Sequence, residues 1–368
     1  MKTYKNLFTS IYSFENLYRA AKQAQKGKKN NEEVARFHNR LEENLLDLKA
    51  SLEQKTYLHG DYTTFYVLDP KKRMISAAPY RDRVLHHALC NVIEPLFEKS
   101  FITDSYANRK GKGTHKAITR FQAFARQYAY VLKCDIRKFF PSIDHVILKQ
   151  EIRKKIACKD TLWLIDQIID NSNPQEEIEH DFSGDDPAIS RMRRKGLPIG
   201  NLTLQFWANV YMDAFDHFIK DHLGHKAYVR YVDDFVILSN SKEELHRLKI
   251  KIQDFLVNYR LRTHPTKTQI QQVEKGVPFL GFMVYKGYKH VLKPKLKRYK
   301  RHVQKTIKQM QSGEVAPQKL EDKLNSWLGH LRFGASQRSE YNFFFYIRDS
   351  GVNLLKHPRN SWRVLEQQ

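Results

Sequence analysis

Tyr228-Val-Arg-Tyr-Val-Asp-Asp-Phe-Val-Ile-Leu238 places two adjacent aspartates, Asp233 and Asp234, between two runs of strand-forming side chains. The runs 228–231 and 235–238 are rich in aromatic and β-branched residues, which favour β-strands. Only three residues separate them, so the segment predicts an antiparallel hairpin with the aspartates at its turn. Such turns usually contain Gly or Asn, and neither is present here.

The adjacent aspartates are costly for a purely structural turn. Asp233 and Asp234 repel each other and interrupt two runs that would otherwise be buried. A bound cation explains them better, because carboxylates are ligands that Mg²⁺ prefers. In phosphoryl transfer onto a 3′-hydroxyl, two Mg²⁺ ions roughly 3.5–4 Å apart are held by carboxylates. Since each Mg²⁺ usually takes only one or two protein carboxylates, a further aspartate on a neighbouring strand is expected.

Asp135 is the candidate for that further ligand. It lies at the end of an apolar run, residues 130–136, which is rich in strand formers and predicts a buried strand. The sequence therefore predicts a two-metal site formed by Asp135, Asp233 and Asp234, with two Mg²⁺ ions as cofactor and Mn²⁺ able to substitute.

Composition and charge restrict the class of protein. The chain has 368 residues, of which 64 are Lys or Arg and 40 are Asp or Glu, giving a net charge of +24. This balance predicts a nucleic-acid partner. No apolar run approaches the roughly 18 residues that a membrane-spanning helix needs, so no membrane association is expected. Three scattered cysteines without C-x-x-C spacing argue against zinc and disulfides, and predict a reduced, cytoplasmic protein.

Periodicity predicts the remaining elements. Helices are expected over the first 55 residues and over 84–97, 202–219 and 243–259, extended structure over 61–80 with a turn at Asp69-Pro70, and a strand pair over 276–288. Residues 174–195 combine an acidic and a basic cluster and predict a long polar loop.

The segment after residue 292 is strongly basic. Eight cations precede the first acidic residue, Glu314: Lys293, Lys295, Lys297, Arg298, Lys300, Arg301, Lys305 and Lys308. An apolar stripe with helical spacing runs along the opposite face: Leu296, Tyr299, Val303, Ile307 and Met310. So many cations without anions would repel each other unless phosphates lie nearby, so a helix that contacts nucleic acid is predicted.

These segments resemble the reverse transcriptase family, in the same order and over nearly the whole chain. Tyr231-Val-Asp-Asp234 resembles the catalytic Tyr-x-Asp-Asp hairpin, and Cys134–Ile143 resembles the first catalytic motif. The resemblance implies that Asp135 binds both metals with help from the Ile136 carbonyl, and that Tyr231 contacts the template–primer. It also implies that Phe140 is the steric gate that excludes ribonucleotides.

Further motifs extend the resemblance into the predicted fingers. Arg73, Pro79 and Arg81-Asp-Arg83 resemble the fingers motif of group II intron-type enzymes, and Ser105–His115 resembles the motif that follows it. This similarity implies that Arg73 contacts the incoming triphosphate. It also implies that Arg109 and Lys112 support the template and the geometry of the fingers.

Two later segments resemble the last palm motif and the primer grip. They are Leu261–Lys267 and Phe279–Phe282. The resemblance implies that Lys267 approaches the triphosphate and that Leu280 and Gly281 contact the template–primer.

The segment Gly196–Gln205 suggests the subfamily. Most reverse transcriptases carry Pro-Gln-Gly here, and that glutamine packs against the incoming nucleotide, whereas this chain has Ile199 before Gly200. The string resembles the enzymes of diversity-generating retroelements, which copy a template RNA with selective errors at adenines. It implies that Ile199, Gly200 and Gln205 contact the dNTP.

The expected fold class is α+β, as a right-hand polymerase with a small antiparallel palm sheet and helical N-terminal and thumb regions. The predicted domains are an N-terminal helical extension (1–55), fingers (56–130 and 155–198), a catalytic palm (131–154 and 199–290) and a helical thumb (291–368). In that fold Lys297, Arg298 and Arg301 would lie on a thumb helix that grips the template–primer duplex.

The predicted function is an RNA-directed DNA polymerase, with template RNA, primer or cDNA and dNTPs as partners. The family also suggests a small basic accessory protein. Two alternatives stay open: a group II intron-like or phage-defence reverse transcriptase of ordinary fidelity, and a non-catalytic RNA-binding protein of the maturase type. The three aspartates argue against the second, because a lapsed site has no reason to retain three costly acids.

Overall fold

A computed structural model describes residues 2–68, 71–176, 178, 182, 186–334, 337–352, 354–356 and 362–364. The chain forms two compact units. Unit 1 comprises Met1–Gly113, Lys133–Ile237 and His246–Gln269, and unit 2 comprises Thr114–Leu132, Leu238–Leu245 and Ile270–Gln368. The finer division into fingers, palm and thumb stays a prediction.

The helices are α1 (Phe8–Tyr12), α2 (Phe14–Gln25), α3 (Glu32–Asn39), α4 (Leu41–Glu53), α5 (Tyr80–Glu98), α6 (Thr114–Ala125), α7 (Phe139–Ser142), α8 (His145–Arg153), α9 (Lys159–Asp170), α10 (Pro187–Met192), α11 (Leu202–His217), α12 (Lys242–Asn258), α13 (Lys293–Gln311), α14 (Pro317–Phe333) and α15 (Gln337–Arg348). A π-helical turn, Phe218–His222, continues α11, and a 3₁₀ turn covers Val273–Lys275.

The strands are β1 (Thr63–Val67), β2 (Arg73–Ala77), β3 (Tyr130–Asp135), β4 (Tyr228–Tyr231), β5 (Asp234–Ser239), β6 (Gln269–Gln272), β7 (Val277–Phe279), β8 (Phe282–Val284), β9 (Lys289–Val291), β10 (Leu354–Lys356) and β11 (Trp362–Val364). A four-stranded sheet has the order β4-β5-β3-β6, and β7-β8-β9 form an antiparallel sheet. Helices with small antiparallel sheets confirm the predicted α+β class.

The N-terminal part of unit 1 is helical, as predicted for the first 55 residues. Side chains of Ser13 and Asn31 accept hydrogen bonds from the first turns of α2 and α3, and so cap these helices. The buried faces supply core residues such as Ile11, Leu17 and Leu45, all 0% exposed. The helices therefore form because an apolar stripe is sealed against the core while polar caps fix their ends.

The predicted extended region is an antiparallel hairpin of β1 and β2, followed by α5. Phe65 pairs with Ile75, and Val67 pairs with Arg73, so these four side chains lie on one face of the hairpin. The predicted turn at Asp69–Pro70 lies outside the described residues.

The prediction of a continuous polar loop over 174–195 is wrong at 187–192, where α10 forms. The Asp186 carboxylate accepts a hydrogen bond from the Ala188 N–H at 2.8 Å, and Pro187 occupies the first helical position. An N-terminal carboxylate and a proline at that position both favour helix initiation. The acidic cluster therefore includes the N-cap of a helix, although its polar composition predicted a loop.

Unit 2 contains the predicted basic helix, α13. Val303 and Ile307 are buried, and Leu296, Tyr299 and Met310 pack against them, so the predicted apolar stripe is confirmed. Trp327 and Leu331 from α14 complete this core together with Phe343 from α15, among others. Over the described residues, none of the helices has the length and apolar character that crossing a bilayer requires.

Candidate active site

The predicted catalytic hairpin is formed by β4 and β5. Tyr231 pairs directly with Asp234, so the turn itself consists of Val232 and Asp233, and Asp234 already belongs to β5. Val232 has a φ of 59°, a left-handed conformation that β-branched residues rarely adopt. Such strain persists only where the surrounding structure holds it, and it is common at functional sites.

The third predicted ligand lies beside this turn. Strand β3, which ends at Asp135, is the neighbour of β5 in the sheet. The Ile136 N–H donates to the Asp233 carbonyl at 3.1 Å, and the His264 N–H donates to the Asp135 carbonyl at 2.6 Å. The structure therefore brings Asp135, Asp233 and Asp234 to the same end of the sheet.

The electrostatics of the turn favour a bound cation. Burial raises the pKa of Asp233 to about 6, and the negative charge of Asp135 adds to this effect. Burial likewise raises the pKa of Asp234 to about 7, with further contributions from the other two carboxylates. Within the described part of the chain, the buried Oδ1 of Asp234 accepts no hydrogen bond. A positive ion would relieve both the repulsion and the unsatisfied oxygen.

Lys267 supplies part of the missing positive charge. Its ammonium contacts the Asp135 carboxylate at 2.7 Å, and its side chain is 44% exposed. Among the described residues, no group of three or more His, Cys, Asp and Glu side chains is arranged so that it could hold a metal ion. The donors available at the turn are nevertheless carboxylate oxygens, one of them buried and unsatisfied, which fits a hard cation such as Mg²⁺.

Arg230 supports the turn that carries Asp233, a role that the sequence did not reveal. Its side chain and that of Asp216 are both 0% exposed, and the Nη2–Oδ2 distance is 2.6 Å. The guanidinium also donates from Nε to Asp216 Oδ1 at 2.7 Å and from Nη1 to the Val232 carbonyl at 3.0 Å. A buried ion pair thus ties the turn to α11. The available signal was an arginine inside an otherwise apolar strand, where a lone charge is costly.

The predicted nucleotide-contacting segment lies against β2. The Ser76 N–H donates to the Ile199 carbonyl at 2.8 Å. Gly200 has a φ of +127°, a conformation that favours glycine, and a Cβ at this position would crowd Ile75 Cγ2 at 3.0 Å. Arg73, at the start of β2, is exposed and lowers the pKa of Asp233 by its positive charge. Ile199 and Gly200 therefore both lie against β2, the strand that begins with Arg73.

The other predicted nucleotide contacts are accessible. Phe140 is half-buried on the short helix α7, and its carbonyl accepts a hydrogen bond from the Leu197 N–H at 3.2 Å. Gln205 is exposed in the first turn of α11, and Tyr231 is half-buried at the end of β4. Their contacts with substrate stay predictions.

Arg109 is engaged in hydrogen bonds inside the protein. Its side chain is 5% exposed and its Nε donates to Glu98 at 2.7 Å, while Nη1 donates to the carbonyls of Ile102 and Ser105. The guanidinium thus ties the loop before α6 to Glu98 on α5, and its part in template–primer contact and fingers geometry stays a prediction. Lys112 is half-buried and donates to the Thr103 carbonyl at 2.7 Å.

The remaining predicted residues lie in unit 2. Leu280 and Gly281 have φ values of 47° and 86° and form the tight turn between β7 and β8. Lys297, Arg298 and Arg301 lie on α13, and the described part of the chain offers none of them an acidic partner within ion-pair distance. These three cations keep their charge available for a phosphate backbone.

Comparison with known proteins identifies the family. A family model described as reverse transcriptase (RNA-dependent DNA polymerase) matches residues 68–284, more than half of the chain. Protein YkfC of Escherichia coli (strain K12) is 24% identical in an alignment of 249 residues that covers 57% of this chain and 62% of YkfC. The group II intron-encoded protein LtrA of Lactococcus lactis subsp. cremoris is 23% identical in an alignment of 255 residues that covers 65% of this chain and 41% of LtrA.

A solved structure of apo telomerase from Candida tropicalis aligns with a TM-score of 0.45 and 13% identity, covering 64% of this chain and 47% of the telomerase chain. The chain spans less than two thirds of the length of the relatives it matches. On the strength of the family match, the chain belongs to the reverse transcriptase (RNA-dependent DNA polymerase) family.

Proposed function

We propose that this protein is an RNA-directed DNA polymerase that extends a primer with dNTPs along a template RNA. One observation carries the proposal: β3 and the β4–β5 turn bring Asp135, Asp233 and Asp234 together, and the buried Asp234 Oδ1 lacks a partner among the described residues. Carboxylates grouped on adjacent strands suit two-metal nucleotidyl transfer.

The residues of the site have separate tasks. Asp135, Asp233 and Asp234, with the Ile136 carbonyl, would hold two Mg²⁺ ions, for which Mn²⁺ can substitute. When bound, the ions stabilise the negative charge that develops on the attacking and leaving oxygens. Arg230 keeps the turn in position through its hydrogen bond to the Val232 carbonyl.

Positive charge at the site favours the triphosphate of the substrate. Lys267 contacts Asp135, and Arg73 acts electrostatically on Asp233, so both cations lie close to the carboxylates. A mixture of fixed cations and carboxylates attracts a nucleotide that arrives with its own counter-ions. Phe140 would exclude ribonucleotides by occupying the space of the 2′-hydroxyl.

The finer proposal concerns fidelity. Ile199, Gly200 and Gln205 would line the nascent base pair, and Ile199 offers a branched apolar side chain where a glutamine would offer hydrogen bonds. Loss of a polar contact loosens discrimination when partners are left unpaired. We therefore propose selective errors opposite adenine, as in diversity-generating retroelements.

A basic surface of unit 2 would hold the nucleic acid. Lys297, Arg298 and Arg301 on α13 would contact the backbone of the template–primer duplex, and Leu280 and Gly281 would contact the primer. Tyr231 and Lys112 complete the proposed template–primer set. A small basic accessory protein and a cytoplasmic location belong to the same proposal.

A second candidate is a group II intron-like reverse transcriptase of ordinary fidelity. The similarity to LtrA, a group II intron-encoded protein, favours it. Both candidates use the same chemistry, and they differ only in the errors that the product carries.

Primer extension tests the proposal directly. Purified protein, an RNA template, a DNA primer, dNTPs and Mg²⁺ should yield cDNA, and Asp233→Ala should abolish the product. Asp254→Ala is the matched control, because it removes an exposed carboxylate from α12. Equal activity of the wild-type protein and Asp233→Ala would refute the polymerase.

Sequencing of the cDNA separates the two candidates. Substitutions concentrated opposite template adenines support the retroelement type, and uniform fidelity at all four bases excludes it. Ile199→Gln should lower the adenine errors while leaving errors opposite the other bases unchanged.

A further inference from the structure

Asn201 occupies the N-cap of α11 but does not cap it. An asparagine at this position usually accepts a hydrogen bond from the first helical turn. Here the side chain makes no such bond. Its Oδ1 instead accepts from the Ala78 N–H at 3.1 Å, and its Nδ2 donates to the carbonyls of Ser76 at 2.9 Å and Pro198 at 3.2 Å. The amide is therefore directed away from its own helix and towards β2.

These bonds join two segments that are distant in sequence. On one side is β2, which begins at Arg73, and on the other is the segment Pro198–Gly200. The main-chain bond from the Ser76 N–H to the Ile199 carbonyl runs alongside at 2.8 Å. Asn201 is 4% exposed, so its hydrogen bonds do not compete with water and fix the separation of the two segments.

We propose that Asn201 is a positioning residue for nucleotide selection. It would keep Ile199, at the nascent base pair, in fixed register with Arg73, at the triphosphate. This inference rests on the proposed function, because it concerns how the polymerase tells one dNTP from another. The side-chain hydrogen bonds of Asn201 go to Ala78, Ser76 and Pro198 and involve neither the aspartates nor Arg230, so we expect the reacting groups to keep their places when it is changed.

A loss of this register should affect binding and selection more than chemistry. A shift of about 1 Å in a positioning group can cost on the order of 100-fold in rate when it misplaces reacting atoms. The turn that carries Asp233 is tied separately to α11 by Arg230, which bonds the Val232 carbonyl and Asp216, so kcat with the correct nucleotide should stay largely intact. The KM for dNTPs and the ratio of correct to incorrect incorporation should change instead.

The test compares Asn201→Ala and Asn201→Asp with Asn16→Ala in the full chain. Asn16 is the matched control: it is 5% exposed, and its Nδ2 also donates to two main-chain carbonyls, those of Ile11 and Ala88, both at 2.9 Å. Steady-state kcat and KM are measured for each dNTP, together with misincorporation ratios and thermal midpoints. Hydrogen exchange of the segment 74–78 is followed without substrate.

Both Asn201 variants should raise the KM for dNTPs about tenfold, because nucleotide binding is weakened equally in the ground state and the transition state. The ratio of correct to incorrect incorporation should fall several-fold, while kcat should stay within about twofold of the wild-type value. Asn201→Asp should not rescue, because it keeps the shape and the acceptor but replaces the donor that serves Ser76 and Pro198. Asn16→Ala should lower the thermal midpoint yet keep the wild-type KM and error ratio. Faster exchange over 74–78 is expected only for the Asn201 variants.

Unaltered KM and error ratios in Asn201→Ala, with a wild-type enzyme that is active, would overturn the role in selection and leave the polymerase standing. A wild-type KM and error ratio in Asn201→Asp would overturn the proposed coupling of β2 to Pro198–Gly200 through the Asn201 amide. Hydrogen exchange over 74–78 that is no faster in the Asn201 variants than in the wild-type protein would overturn it too. A wild-type protein without primer extension would overturn the proposed function, and the selection role with it.

Discussion

Replacing Arg230 by methionine removes five hydrogen bonds, two to Asp216 and one each to Ser105, Asn209 and the Val232 carbonyl. Because both ion-pair side chains are 0% exposed, the substitution leaves the Asp216 carboxylate buried without its counter-charge. Breaking a buried pair in this way costs about 3–5 kcal/mol. The free energy of unfolding in urea should fall by that amount.

The double variant Arg230→Met/Asp216→Leu separates stability from turn geometry. Removing both charges avoids the uncompensated carboxylate, so the double variant should be more stable than the single one by at least about 2 kcal/mol. The Val232 carbonyl still lacks its donor in both variants, and the aspartates it positions should shift. We expect kcat for primer extension to stay about 100-fold below wild type in both.

The assay is primer extension at a temperature where circular dichroism shows both variants folded. Wild-type kcat in the double variant would refute the reasoning, because it would mean that Arg230 serves stability alone. A single variant as stable as wild type would contradict the buried ion pair instead.

Three further outcomes are expected. Gly200→Ala should lower kcat/KM for dNTPs at least about tenfold, because a φ of +127° strains any residue with a side chain and a Cβ there would lie 3.0 Å from Ile75 Cγ2. Gly27→Ala, at a φ of +75° and with open space around it, should leave primer extension unchanged. Lys297→Gln should reduce the slope of log Kd against log salt for duplex binding by about 0.9, and the exposed control Lys26→Gln should not. Added Mg²⁺ should raise the thermal midpoint of the wild-type protein but not that of Asp234→Asn, because an ion that binds the folded state stabilises it. Equal shifts of the two midpoints in a thermal scan would argue against metal coordination by Asp234.

Local patterns were sufficient for the parts of the molecule that depend on local sequence. Two β-type runs around Val232 predicted the β4–β5 hairpin, and the run ending at Asp135 predicted β3. The apolar stripe of α13 was equally visible, because helical spacing alone decides which residues face the core. Adjacency of β3 and β5 then followed from the need for a third carboxylate.

Long-range partners could not be found in this way. The bond between Asn201 and Ser76 spans 125 residues, and neither residue type alone shows that Arg109 bonds to Glu98. The sequence shows which hydrogen bonds a charged or amide side chain can make, but it does not show which distant residue will be the partner. The helix α10 was missed for a related reason, since the cap at Asp186 lies within an acidic cluster that reads as a loop.

The left-handed Val232 influences when the turn that carries Asp233 becomes ordered. A glycine in that place could adopt many turn shapes, whereas a β-branched residue at positive φ has few alternatives open to it. The hairpin pairs and the Arg230 hydrogen bond hold it in one of them. Conformational entropy of the turn is therefore lost once, during folding, and not again at each nucleotide addition, so every dNTP would meet carboxylates that are already preorganised.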